Sequence, residues 1–257
     1  MNRILLQPLE VDAGGRACLV DRRAVHLRKV LGVTPGQVVR VGLLNGPVGM
    51  ATVEALEGER VTLACRWEAH PPERPRVDVL LAVPRPKVLR RLWPALASLG
   101  VGRIVLTNAE KVERQYFDTH WLAPETVRAL LSEGLEQSGD THLPDVLVRK
   151  RLKPFIEDEL DACFPPEGTR RLVAHPRAAT PLARQQPRPG ERWLLAVGPE
   201  GGWTEYELAL LAGHGFQAVG LSWRVLRADI ACVALVAIAG ALLDGSAPRN
   251  EEESHRE

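Results

Sequence analysis

Residues 193–203, Trp-Leu-Leu-Ala-Val-Gly-Pro-Glu-Gly-Gly-Trp, constrain the fold more than any other stretch of this chain. An apolar strand pattern ends in a turn containing Gly198, Pro199, Glu200, Gly201 and Gly202, and a helix signal follows at once. Thr204 and Glu207 have capping-box spacing, and Leu208 with Leu211 supplies an inward face. Glycines in such a turn let the backbone come close to a bound molecule. In open parallel sheets ligands bind at the carboxyl ends of strands, which makes this turn a candidate site. It lacks the Gly-Lys-Ser/Thr ending of a phosphate loop, and its glycine spacing does not fit the dinucleotide fingerprint. An ordinary turn could carry the same glycines, so the neighbouring segments have to decide.

Those segments alternate. Apolar strand patterns at 77–83, 103–107, 145–148, 171–174, 193–197 and 217–221 are separated by helical stretches. Such alternation predicts an α/β domain with a mainly parallel sheet covered by helices. The first seventy or so residues differ. Short alternating strands at 38–41, 49–53 and 60–63, divided by glycine turns, predict a small β-barrel. Pro71, Pro72 and Pro75 mark a stiff linker. We therefore expect domains at 1–72 and 76–246, with a disordered acidic tail at 247–257 around Glu251, Glu252 and Glu253.

The net charge of +1 announces no nucleic-acid partner globally. Locally, Arg16, Arg22, Arg23, Arg28 and Lys29 face one acid, Asp21, while Arg85, Lys87, Arg90 and Arg91 have none among them. Clusters of this kind suit phosphate contacts, although a solvated helix face would look the same. Cys18, Cys65, Cys163 and Cys232 have no paired spacing, so they predict buried free thiols rather than a metal site or a disulfide framework. No secretory signal pattern opens the chain. The apolar run 230–243 is too short to span a bilayer and predicts a helix buried on most sides, with no membrane partner.

A second motif sharpens the reading: Val219-Gly-Leu-Ser-Trp-Arg-Val-Leu-Arg-Ala-Asp-Ile-Ala-Cys232, a short strand, a tight connection and a long helix from about 229 to 243. With the glycine turn, Glu136-Gln137-Ser138-Gly139, Leu99-Gly100-Val101, and His26-Leu-Arg-Lys-Val-Leu31 before Pro35-Gly36, it resembles the RsmE-type SPOUT RNA methyltransferases across nearly the whole chain. That family methylates the N3 nitrogen of a uridine in small-subunit (16S) ribosomal RNA. The resemblance implies a PUA-like RNA-binding barrel, a SPOUT domain closed by a C-terminal trefoil knot, S-adenosyl-L-methionine as cofactor, a homodimer and a cytoplasmic location. It places the cofactor against Leu172, Ala174, His175, Pro176, Val197, Gly198, Pro199, Glu200, Gly201, Gly202, Leu221, Ser222, Val225, Leu226 and Arg227. RNA contacts would come from Arg3, Arg22, Arg23, His26, Arg28, Lys29, Arg85 and Lys87.

The chemistry asks for two roles. Losing the uracil N3 proton spreads negative charge over the flanking carbonyl oxygens, which an arginine can stabilise, and a carboxylate or histidine can take the proton. Arg227 is the candidate for the first role; Glu200 and Asp229 compete for the second, with His175 behind them. Glu200 could instead brace backbone amides at the Thr204 helix start. Several positions depart from the family pattern. Leu226-Arg-Ala-Asp-Ile-Ala231 replaces Leu-Arg-Thr-Glu-Thr-Ala, Asp140 replaces an arginine, and Ala95 and Ser98 replace a lysine and a glutamate. A non-catalytic RNA-binding paralogue, a methyltransferase acting on another RNA, and an unknotted flavodoxin-like nucleotide-binding enzyme are the competing readings.

Overall fold

In a computed structural model that describes residues 2–245, the chain begins with β1 (Ile4–Leu6), β2 (Arg16–Leu19), α1 (Arg22–Val25), β3 (Val38–Leu43), β4 (Val48–Glu57) and β5 (Arg60–Trp67). It continues through β6 (Val77–Ala82), α2 (Pro86–Ser98), β7 (Val101–Thr107), α3 (Pro124–Ser138) and β8 (Asp145–Arg149). The remainder is α4 (Leu152–Pro154), α5 (Leu160–Cys163), β9 (Thr169–Ala174), β10 (Arg192–Val197), α6 (Glu205–Gly213), β11 (Gln217–Val219) and α7 (Ala228–Gly245). The acidic tail expected at 247–257 lies outside the described residues.

These elements divide into two units, Met1–Pro75 with Pro124–Leu143, and Arg76–Ala123 with Pro144–Glu257. The expectation of a single cut at the proline linker is thus corrected in one place: α3 and the turn after it group with the first unit. Backbone bonding shows why. The carbonyl of Glu136 accepts from the amides of Asn2 and Arg3, and the amide of Asn45 donates to the carbonyl of Thr141.

The first unit is a five-stranded sheet in the order β1-β3-β4-β5-β2, antiparallel except where β1 runs parallel to β3. The period-two alternation seen in β3–β5 puts Val39, Val41, Ala51, Val53, Val61 and Leu63 on one buried face with Leu6 and Leu27. The Glu136-Gln-Ser-Gly motif closes α3 within this unit. Gly139, at φ +80°, ends α3, and the buried Glu136 carboxylate accepts from Arg22 at 2.9 Å. Asp140, the charge reversal, caps the following turn by accepting from the amides of Thr141 and His142.

The second unit is a six-stranded sheet, order β11-β9-β10-β6-β7-β8, parallel at every pairing. Every residue of β6 is buried, as befits a central parallel strand covered on both faces. The one charge there, Asp78, is held bidentately by Arg192 at 2.8 and 3.1 Å. Burial pushes the Asp78 carboxyl above its usual value despite that partner.

Two expectations change. Only Cys232 is buried outright; Cys18 is exposed on a sheet edge, and Cys65 and Cys163 are half-buried. All four are free among the described residues, and burial pushes Cys232 up to about 12, which keeps it a thiol. Helix α7 is 18 residues long, the one described helix whose length and composition would suffice to cross a membrane, and only 28% of it is buried. It is therefore not enclosed on most sides. Cys232, Leu235, Val236, Ala239 and Leu243 face inward, while Ile230 stands 53% exposed on the other face.

Candidate active site

Because β9, β10 and β11 run parallel, the loops that leave them emerge at one edge of the sheet. The loop after β9 is laced to the end of β11: His175 N–H donates to Val219 O at 2.9 Å, Gly220 N–H to Thr180 O at 3.0 Å, and Leu182 N–H to Gly220 O at 2.8 Å. The turn after β10 closes through Gly202 N–H on Pro199 O at 2.8 Å. Glu207 forms the capping box with Thr204, and its other oxygen accepts from the Glu110 amide after β7 at 2.8 Å. Glu207 thus does the bracing considered for Glu200. Lys111 Nζ donates to Gly201 O at 2.8 Å from the same side.

Between these loops lies one cavity of about 370 Å³, within the range of small-molecule sites. Ala174, His175, Pro176, Val197, Gly198, Pro199, Glu200, Gly201, Gly202, Leu221, Ser222, Val225 and Leu226 line it, so the two glycine-bearing turns converge on a shared hollow. Leu172 does not line it. That residue is wholly buried within β9, between β10 and β11, and serves the sheet core.

Arg227 is not a lining residue either. Its guanidinium is largely exposed and donates to Asp229 Oδ2 at 2.9 Å, while Arg91 on α2 approaches the same oxygen at 3.5 Å. The Arg227 carbonyl accepts from Ala231, so the residue sits at the very mouth of α7. Asp229 therefore sits between two guanidinium groups, an arrangement that fixes arginines rather than one open to a substrate proton. His175 is likewise engaged, its Nδ1 accepting from the Arg177 amide at 3.2 Å. Glu200 differs: it lines the cavity, is exposed, and makes no side-chain hydrogen bond among the described residues. Its charge is felt by Arg85, whose pKa is raised first by a hydrogen bond with Tyr116 and then by Tyr116 and Glu200 through space.

Sequence reasoning missed Trp203. Its indole is 7% exposed, lines the cavity and leaves Nε1–H without an acceptor among the described residues. The signal was there, since Trp203 directly follows the glycine turn. Arg91 stood in the sequence only as one member of a basic cluster, because only the fold brings α2 to the mouth of α7. Of the basic positions proposed for RNA, Arg28 and Lys29 are exposed and Arg22 is exposed but paired with Glu136. Lys87 and Arg85 are exposed at the second unit's loop edge. Arg23 is structural: it is 9% exposed and held by Glu10, Asp21 and the Leu5 carbonyl. Arg3 donates to Val41 O at 2.8 Å, which also commits it inward. The half-buried His26 has its pKa lowered by burial and by Arg22, and its Nε2 is unpartnered among the described residues.

Known proteins resemble this chain in sequence and in fold. The profile of the family described as RNA methyltransferase domain matches residues 71–240. The ribosomal RNA small subunit methyltransferase E of Treponema pallidum is 30% identical over 243 residues, covering 93% of this chain and 90% of its own. The ribosomal RNA small subunit methyltransferase E 1 of Borreliella burgdorferi is 24% identical, over 91% and 95% of the two chains. Among solved structures, a ribosomal RNA small subunit methyltransferase E from Neisseria gonorrhoeae bound to S-adenosyl methionine shares the fold at a TM-score of 0.73 and 24% identity, over 93% of this chain and 95% of that one. On the profile match and the Treponema relative together, this chain belongs to the RsmE-type SPOUT RNA methyltransferases.

Proposed function

We propose that the protein transfers the methyl group of S-adenosyl-L-methionine to N3 of a uridine in small-subunit ribosomal RNA, in the cytoplasm. One observation carries the reading: the loops following β9, β10 and β11 share the walls of a single cavity. The residues present fit the cofactor. Leu221, Val225, Leu226 and Leu235 offer apolar walls for an adenine ring, and the unpartnered Trp203 Nε1–H offers a donor. Bound there, S-adenosyl-L-methionine supplies a methyl group already activated on a sulfonium. The chain's own residues then manage the uracil. Arg227, held by Asp229 at the mouth of α7, stabilises the charge left on the uracil oxygens when N3 loses its proton. Glu200, uncommitted at the cavity wall, accepts that proton.

The first unit serves as a PUA-like RNA-binding barrel, presenting Arg28 and Lys29 beside the exposed Val25, Val30 and Leu31. The 174–245 segment is threaded as the family's trefoil knot, a reading supported by β11 joining the sheet beside β9 before α7 returns along it. The free apolar face of α7, continued by Trp223 at 82% and Val225 at 81% exposure, packs against a second copy of the chain. Light scattering tests this last point, and a mass of one chain contradicts it.

Arg227→Ala tests the chemistry. Methyl transfer is expected to fall by about 10²–10³-fold, the usual effect of losing one donor to a developing oxyanion. Affinity for S-adenosylhomocysteine, read by calorimetry, is expected to stay within about tenfold. Equal loss of both would move Arg227 into the cofactor pocket. Full cofactor binding by the unaltered protein with no transfer to any RNA would favour the non-catalytic paralogue.

A further inference from the structure

A second cavity, of about 550 Å³, opens at the opposite, amino-terminal edge of β9, β10 and β11. Nothing in the methyl-transfer reading uses it. Arg170, Arg171 and Arg188 line it together with one carboxylate, that of Glu191. The carboxylate is fully engaged. One oxygen accepts from Arg170 Nε at 3.1 Å, the other from the Arg188 amide and Trp193 Nε1, each at 3.0 Å. Its negative charge is therefore matched by Arg170, leaving Arg171 and Arg188 as the other two guanidinium groups of the lining.

Those two differ usefully. Arg171 is 6% exposed, and its Nη groups are held by Asp161 and by the carbonyls of Phe164 and His214. Its Nε–H has no partner among the described residues, a buried donor that native structures rarely leave unmet. Arg188 is exposed, and its guanidinium makes no hydrogen bond or ion pair among the described residues. The rim is built from turns through Gly168, Gly190 and Gly215, each at positive φ and each with open space where a side chain would stand. The hollow is thus kept clear by backbone conformations that other residues rarely adopt.

We propose that this cavity is an oxyanion site that takes a phosphate group, with Arg188 as the mobile clamp and the Arg171 Nε–H as the fixed donor. Guanidinium forks suit phosphate oxygens, and with Arg170 matched by Glu191 and Arg171 by Asp161, the unmatched Arg188 makes the hollow electropositive. The phosphate could come from an RNA backbone or from a free polyphosphate, and the chemistry of the site is the same for both.

The test uses the full chain with Arg188→Ala, an exposed position outside the methyl-donor cavity. Calorimetric titration with inorganic pyrophosphate is expected to show binding that weakens by at least about tenfold in the variant, the effect of losing a charged hydrogen-bond donor. S-adenosylhomocysteine affinity should be unchanged, which separates failure of this site from failure of the methyl-donor reading. Titration with small-subunit RNA across a salt series distinguishes the sources. If an RNA phosphate binds here, Arg188→Ala also lowers RNA affinity and reduces the salt slope by about one. If a free polyphosphate is the ligand, RNA binding stays as it was while pyrophosphate binding is lost. No pyrophosphate binding together with unchanged RNA affinity overturns the proposal.

Discussion

Replacing Gly198 by valine is expected to weaken S-adenosylhomocysteine binding by about 100-fold while the protein stays folded. A Cβ at this position would stand 3.0 Å from Trp203 Nε1 and 3.1 Å from Cδ1, and valine adds two methyl groups beyond it. Trp203 is 7% exposed, so the indole can yield only into the cavity it lines. Overpacking of this kind costs about 1–3 kcal/mol, and here the displaced ring also occupies ligand space. Gly201 is a milder case. A Cβ there would meet Lys111 Cδ at 2.9 Å, the far part of a flexible side chain that can swing away. Gly213→Ala, at the end of α6 where a Cβ meets nothing within 4 Å, is the control and should bind normally. Calorimetry on Gly198→Val, Gly201→Val and Gly213→Ala checks the ranking, and normal affinity in Gly198→Val would remove the glycine turn from the cofactor site.

Arg23→Ala is expected to destabilise the first unit by about 3 kcal/mol, the lower end for breaking a largely buried ion pair. The lower end applies because the Asp21 side chain is 47% exposed and keeps much of its hydration. The same network predicts an acid-sensitive stability. The hydrogen bond from Arg23 holds Glu10 below its usual 4.5. Burial pushes Asp21 up, but hydrogen bonds from the Arg23 side chain and amide outweigh it and leave Asp21 below 3.8. Both folded-state values lie beneath the unfolded ones. Their contribution is therefore complete above about pH 4.5 and is lost as pH falls through the lowered values. Thermal melts at neutral pH and near pH 3 should show this loss in the unaltered protein and much less of it in Arg23→Ala. An equal acid slope in both would assign the sensitivity to other carboxylates.

Arg23 also marks where reading the chain alone falls short. In the sequence it is one of five basic residues around a single acid, indistinguishable from Arg28. Its partner Glu10 comes from a separate turn, and only folding brings the two within 2.9 Å. Local patterns were more informative. The period-two alternation and the apolar runs located β3–β7 and β10 to within a few residues, because strand burial is written in consecutive positions. The Thr204 and Glu207 capping box could be read directly for the same reason. The grouping of α3 with the first unit rests on backbone bonds to Asn2, Arg3 and Asn45, which no local pattern encodes. Helix α7 was misjudged for a related reason: an all-round apolar composition normally means burial on all sides, unless one face awaits a partner.

At the site, the lining of the cavity by the 198–202 and 221–226 segments followed from placing both after parallel strands. The division of labour among acids did not. Glu207 rather than Glu200 ties the helix start to the 110 loop, and Asp229 is occupied by Arg91 and Arg227. Both facts depend on side chains arriving from other elements.

The most direct measurement is nucleoside mass spectrometry of small-subunit ribosomal RNA after incubation with the purified protein and isotopically labelled S-adenosyl-L-methionine. The label is expected in 3-methyluridine, and Arg227→Ala should remove it. Label confined to another nucleoside, or no label in RNA although the cofactor is bound, would contradict the assignment.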